Sequence, residues 1–327
     1  MAIDRKGSWS VGIQIGRMYL FFAFALAGTS VVTARLLSAS LGMFTISSAS
    51  LAILLAGLLP FYARPALRTI RSMHRQDWRA VWLQAVFGIF GFRMFLLLGL
   101  TLTSAGEAGI LTGAAPALTA CLAYFVLREP LTAKAGLGVG CTAAGIALLQ
   151  GMGLGSHGFP LAHLAGNLLI LCAVACESVF NVLSRKSRSN DGSPGAMADA
   201  HPMVQTLLVG AAALALCALP ALLEHPVRSL GVIGLREWLA LAWYGLAITA
   251  LSYGCFYAGI KRCDAYTTAA YAGWMPLTSL LLSMLLLGEK PPLVQWLGGA
   301  LVIGGMLLIG SRAARAAESK DPIVQQL

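Results

Sequence analysis

Two charged side chains stand where charge is out of place. Arg93 lies in the apolar run Ile89–Leu100, and Glu177 lies in the run Leu168–Val182. A planar guanidinium can take a carboxylate through two parallel hydrogen bonds. A carboxylate in such surroundings can take an ammonium group or exchange a proton. Asn181 follows Glu177 by four residues and shares its helical face. Two aromatic pairs add stacking surface: Tyr253 with Tyr257, four apart, and Tyr271 with Trp274, three apart. Together these seven residues describe a site for a small zwitterionic or carboxylated solute with an apolar or aromatic portion. Each also has a plainer reading. Arg93 and Glu177 could form a structural ion pair, and Tyr and Trp gather at membrane interfaces.

Other chemistry lacks its residues. The seven cysteines include no Cys-x-x-Cys, and the five histidines sit in or beside loops without metal-ligand spacing. No His-Glu-x-x-His, Gly-x-Ser-x-Gly or Walker A pattern occurs. The reading is therefore no metal, no cofactor, no enzyme and no ATP-driven pump. Coupling would fall to an ion gradient, with proton exchange at Glu177 one route, or to the solute's own gradient.

The elements that must hold these residues follow from composition. The 327 residues are 58% hydrophobic and only 11% charged, with mean hydropathy +0.77. A soluble domain carries roughly 25% charged residues. A soluble enzyme, a nucleic-acid-binding domain and a disordered chain are excluded; the solvent is the lipid bilayer. Segments 36–63, 135–176 and 265–288 contain no Asp, Glu, Lys or Arg. About 20 apolar residues cross a bilayer as a helix, whereas barrel strands alternate apolar with polar, and Leu277–Leu287 does not alternate. The chain is thus expected to be all-α with ten transmembrane helices, at 17–37, 42–62, 80–102, 107–127, 134–151, 164–184, 203–223, 238–259, 266–287 and 293–311. The longest loops are expected at 63–79 and 185–202. The first span reads as a retained helix rather than a signal peptide, because its apolar run continues past Ala27.

Eighteen of the 23 Lys and Arg residues fall on the side of the N-terminus, three on the other, and Arg35 and Arg93 within spans. The positive-inside bias places both termini in the cytoplasm. It also assigns the net charge of +10 to the lipid surface rather than to a nucleic acid.

A shift of 160 residues aligns Gly99–Gly151 with Gly259–Ser311 without a gap, with 11 of 53 positions identical. Matches include Gly113/Gly273, Pro116/Pro276, Glu129/Glu289, Gly138/Gly298 and Gly145/Gly305. A weaker match pairs Ala27–Val31 with Ala175–Val179. The chain divides into a repeat over 1–151, a second over 164–311 and a cytoplasmic tail over 312–327. Five spans per repeat is odd, so the copies enter the membrane in opposite senses, with a solute site near the midplane between them. Pro116 and Pro276 lie mid-span as candidate hinges. Glu129 and Glu289 are expected to fix the turn into the next helix, and Glu107 to favour the start of its helix. Gly109/Gly113 and Gly136/Gly140 are expected to let helices approach closely.

These paired features, a proline helix ending in Leu-x-Glu and then a glycine-rich helix, resemble the EamA-type branch of the drug/metabolite transporter superfamily. The resemblance covers almost the whole chain. It implies a secondary transporter of the bacterial cytoplasmic (inner) membrane, exporting a small amino-acid-like or carboxylated metabolite, a metallophore or amino-acid derivative included. It further implies a cavity lined by spans 1, 3, 4, 6, 8 and 9. Family members often carry an arginine in the second span; this chain has Ser47-Ser48 there. A flippase of a lipid-linked molecule and, less favoured, a membrane-embedded enzyme stay open as alternatives. So do monomer and homodimer.

Overall fold

The computed structural model describes residues 5–127, 133–149, 161–186, 196–263 and 265–319. Every element among them is helical. In chain order they are α1 (Arg5–Ser38), α2 (Met43–Ser72), α3 (Arg75–Leu100), α4 in halves Ala105–Thr112 and Ala115–Leu127, α5 (Ala133–Leu149), α6 (Leu161–Lys186), α7 (Pro202–Leu222), α8 (Leu235–Ile260), α9 in halves Ala265–Ala272 and Trp274–Leu287, and α10 (Leu293–Ser319). Short helices at Ala196–Asp199 and Pro226–Val232 lie between them. A helix satisfies its backbone within its own segment, which is why apolar runs in lipid take this form. Among the described residues, α1, α2, α3, α6, α7 and α8 are each long and apolar enough to cross a membrane. The others are shorter or interrupted. Leucines such as Leu219, Leu223 and Leu285 stand largely exposed on the outer faces, a surface that suits acyl chains and not water.

The segment 63–79, expected as a loop, is mostly helix. Helix α2 runs on to Ser72, and Asp77 then accepts from the His74 N–H at 3.0 Å to start α3. Arginine, alanine and leucine are good helix formers, so the loss of hydrophobicity ends the membrane run but not the helix. Part of the other expected loop, 187–195, lies outside the described residues.

The packing repeats with the two copies exchanged. Helix α1 lies against α8 and α9, and α6 lies against α3 and α4; α2 pairs with its counterpart α7, and α5 with α10. Local irregularities repeat too. A π-helical stretch spans Ala85–Gly91 in α3 and Trp243–Leu251 in α8. Helix α4 breaks at Gly113 and α9 at Gly273, again 160 residues apart. The backbone stays right-handed at both glycines, and each break falls where Pro116 or Pro276 withholds the N–H that the Thr112 or Ala272 carbonyl would accept. Both prolines sit in the first turn after the break, where a missing N–H costs least.

Helices α5 and α10 approach closely through their glycines. A Cβ on Gly138 would lie 2.6 Å from the Gly305 carbonyl, and one on Gly145 2.7 Å from the Gly298 carbonyl. Gly109 and Gly113 also meet neighbours tightly. Gly136 and Gly140 do not: nothing lies within 4 Å of either. Their four-residue spacing is on the outward face of α5, a direction that spacing alone does not reveal.

Candidate functional site

Between the two copies lies a small cavity of about 70 Å³. Helices α1, α3, α6, α8 and α9 supply its walls; α4, expected to contribute, supplies none of the lining among the described residues. The break in α4 turns Ala105–Thr112 into the aliphatic core with Leu96, Leu100 and Val302 instead.

Arg93 follows the π-helical stretch of α3 directly, so the widened turn sets the direction of its side chain. The residue is 4% exposed. One guanidinium nitrogen donates to Ser50 Oγ at 2.9 Å and the other to Thr249 Oγ1, while the Tyr244 ring lies 4.4 Å away beneath the cation. Thr249 in turn donates to the Tyr244 carbonyl at 2.7 Å, a five-residue reach that the second π-helical stretch permits. An arginine at mid-membrane costs about 3 kcal/mol. Two interhelical hydrogen bonds return roughly 0.6 kcal/mol each, and a desolvated cation over a ring about 2 kcal/mol. The contacts balance the cost of holding the cation there without neutralising it. Among the described residues, three of its five N–H groups are left for another partner. No carboxylate among the described residues pairs with it.

Glu177 and Asn181 line the same cavity from α6. One Glu177 carboxylate oxygen is buried without a hydrogen-bond partner. The structural ion pair with Arg93 is therefore not formed. Tyr253 also lines the cavity; its hydroxyl donates to the Gly88 carbonyl. Gly88 is needed as glycine, because a Cβ would come within 2.4 Å of the Phe180 ring. Phe24, Phe92, Phe180, Phe256 and Ile248 complete an apolar wall.

The remaining expected residues go elsewhere. Tyr257 is buried one turn beyond Tyr253, outside the lining, and its hydroxyl donates to Gln84 Oε1 at 2.9 Å. Tyr271 and Trp274 face a separate surface groove with Gln14, Arg17, Met18, Phe21 and Phe22, and Trp274 meets Phe21 edge to face at 4.8 Å. Three-residue spacing places them on one face of α9, but that face turns away from Arg93. Glu289 does not merely close its own turn. Its two oxygens accept from the Ala105 and Gly106 N–H groups at 3.0 and 2.7 Å, capping α4. Glu129 lies outside the described residues. Glu107 is at the start of α4 as expected, and it also gathers Gln295 at 3.0 Å, Thr103 at 2.9 Å and His163 at 3.2 Å.

Sequence reasoning missed Ser50, Tyr244 and Thr249, which hold Arg93, and Gln84. Hydroxyls in apolar runs carry no signal of their own. Gln84 does: a buried amide inside a span stands out as Arg93 does. The arginine often found in the second span of the family has no counterpart here, but the Arg93 guanidinium reaches α2 from the third span, at Ser50.

A family model for EamA-like transporters matches residues 14–150 and again 164–311. The chain belongs to the EamA-like transporter family. It is 28% identical over 309 residues to the uncharacterized transporter YetK of Bacillus subtilis, covering 94% of this chain and 90% of that one. It is 27% identical over 315 residues to the aromatic amino acid exporter YddG of Ancylobacter novellus, covering 95% and 97%. A probable amino-acid metabolite efflux pump of Salmonella typhimurium matches at 26% identity over 65% of this chain and 70% of its own. A solved crystal structure superposes with a TM-score of 0.62 at 24% identity, covering 94% of this chain and 99% of that one; the likeness speaks for the fold. This is a multi-pass membrane protein of a transporter family.

Proposed function

We propose that the protein is a secondary exporter of a small amino-acid-like or carboxylated metabolite. It would work by alternating access across the bacterial inner membrane, with both termini cytoplasmic and the two copies crossing in opposite senses. One observation carries the reading: a single cavity holds a buried guanidinium without a carboxylate partner and a carboxylate oxygen without a donor, between aromatic walls. A buried charge left unpaired is expensive, so each pole is arranged for something that arrives. A solute with a carboxylate, an ammonium group and an apolar side chain fills all three roles. Arg93 takes the carboxylate, Glu177 and Asn181 the ammonium group, and Tyr253 the side chain. Relatives named for the export of aromatic amino acids and amino-acid metabolites support this class.

The test is uptake of a labelled amino-acid panel into inverted vesicles. Removing one side of a buried charge pair costs 2–5 kcal/mol, so Arg93→Ala should reduce uptake by about a hundredfold or more while the protein still inserts. Unchanged uptake would remove the assignment.

A flippase of a lipid-linked molecule is the second reading, favoured by the lateral groove at Arg17, Phe21 and Trp274. Under it, Trp274→Ala and not Arg93→Ala abolishes movement of a labelled lipid between leaflets.

A further inference from the structure

The two ends of the cavity are chemically different. Toward the basic end of the bundle, one turn past Gly88, Phe180 and Tyr253, a layer of polar side chains crosses it: Gln84 from α3, Ser184 from α6, Gln205 from α7 and Tyr257 from α8. None lines the cavity. Gln84 and Ser184 are 0% exposed, Tyr257 1% and Gln205 6%. Gln84 Oε1 accepts from Tyr257 at 2.9 Å and from Gln205 at 3.3 Å. Its Nε2 is buried without a partner, and the Ser184 hydroxyl lies within reach of the Tyr257 hydroxyl.

The opposite end is more aliphatic, although Ser47 and Ser48 are buried there without partners. The repeat counterpart of Tyr257 is Leu97, and that of Gln84 is Tyr244. Around them Val31, Ile46, Leu96 and Leu100 form a continuous aliphatic core. An unsatisfied polar group in a membrane interior is costly. Polar groups are kept where a second state satisfies them.

We propose that Gln84, Ser184, Gln205 and Tyr257 form the gate at the basic end, and that the unpartnered Gln84 amide, with the hydroxyls its opening frees, serves as a transient binding site for the polar groups of the passing solute. When α3 and α8 separate, the Tyr257–Gln84 bond opens, and the freed groups replace part of the water that a zwitterion leaves behind. The apolar end then opens only after the polar layer has closed. The inference rests on the transporter reading of the cavity, not on which solute fills it.

The experiment reports on the gate without any solute. Ala27 lines the cavity. In an Ala27→Cys chain, labelling of residue 27 by a membrane-impermeant maleimide is read by peptide mass spectrometry in inverted and right-side-out vesicles. Tyr257→Phe keeps the ring and removes the latch. It should raise labelling from the basic face about threefold, the worth of one hydrogen bond in a membrane protein, and leave the other face unchanged. Gln205→Leu, at the edge of the layer, should give a smaller rise on the same face and serves if Tyr257→Phe fails to insert. Leu97→Ala should raise labelling from the opposite face only. Labelling unmoved by both gate variants, or raised equally from the two faces, overturns the proposal. Because no solute is present, Arg93→Ala could fail to alter export while this result stands, and the reverse.

Discussion

Arg93 and Tyr253 hold the same place in the two copies, 160 residues apart, each just after a π-helical stretch and each lining one cavity. One is a cation held by two hydroxyls and a ring. The other is a phenol hydrogen-bonded to the Gly88 carbonyl. Glu177 likewise faces Thr29 across the weaker match. Where the copies agree, at Gly113/Gly273 or Gly138/Gly298, the residues shape backbone. Where they differ, they carry charge. Duplication made the container, and departures from it made the contents. Substitutions at unlike positions should therefore stop transport and spare the fold, and substitutions at like positions should do the opposite.

The strongest test exchanges the unlike pair. Arg93→Tyr with Tyr253→Arg keeps composition and moves the cation to the other copy, away from Ser50 and Thr249. Uptake should stay about a hundredfold down, as for loss of the charge. Recovery would mean that the cavity needs only a cation and not its placement. Next is Glu177→Gln, which keeps shape and removes the charge. Loss of one charge-assisted hydrogen bond, about 1.5–3 kcal/mol, predicts a rise in KM of roughly tenfold or more. If Glu177 also carries a proton, the variant should exchange solute across vesicles but gain nothing from an imposed pH gradient. A gradient-driven Glu177→Gln would end its role in coupling.

Much of this architecture was legible in the chain. Missing charges marked the spans, and the fixed offset of Gly, Pro and Glu marked the repeat. Arg93, Glu177, Asn181 and Tyr253 were found because polar groups in apolar runs need a reason. What escaped were directions. The spacing of Tyr271 and Trp274 fixes their shared face but not where it points. The π-helical stretches leave no residue signature, yet they aim Arg93. The breaks at Gly113 and Gly273, by contrast, were legible, because each lies one turn before a proline that cannot donate.

Like positions offer a middle-sized effect with an internal control. Gly145→Ala and Gly138→Ala drive a methyl group against a carbonyl and should destabilise by about 1–3 kcal/mol, the range for overpacking. Gly136→Ala and Gly140→Ala, on the same helix but in open space, should be neutral within about 0.5 kcal/mol. Thermal unfolding in detergent separates the pairs, and equal shifts for all four would refute the α5–α10 contact.

The smallest effect lies at Glu289, and it asks whether the symmetry extends to the rims. Its carboxylate accepts two backbone N–H groups at the start of α4, as Glu224 accepts from Phe44 and Thr45 at the start of α2. An anion at a helix N-terminus is worth about 0.3–1 kcal/mol when exposed. Glu289→Gln keeps an acceptor and loses the charge, so the melting temperature should fall by a few degrees at most, with transport intact. Glu129 is the repeat counterpart, and the residues matching Ala105 and Gly106 are Ala265 and Tyr266. If capping is a property of the duplicated unit, Glu129→Gln costs the same as Glu289→Gln. A much larger loss for Glu129→Gln, or a transport defect from it alone, would move that residue from the shared container to the unlike contents.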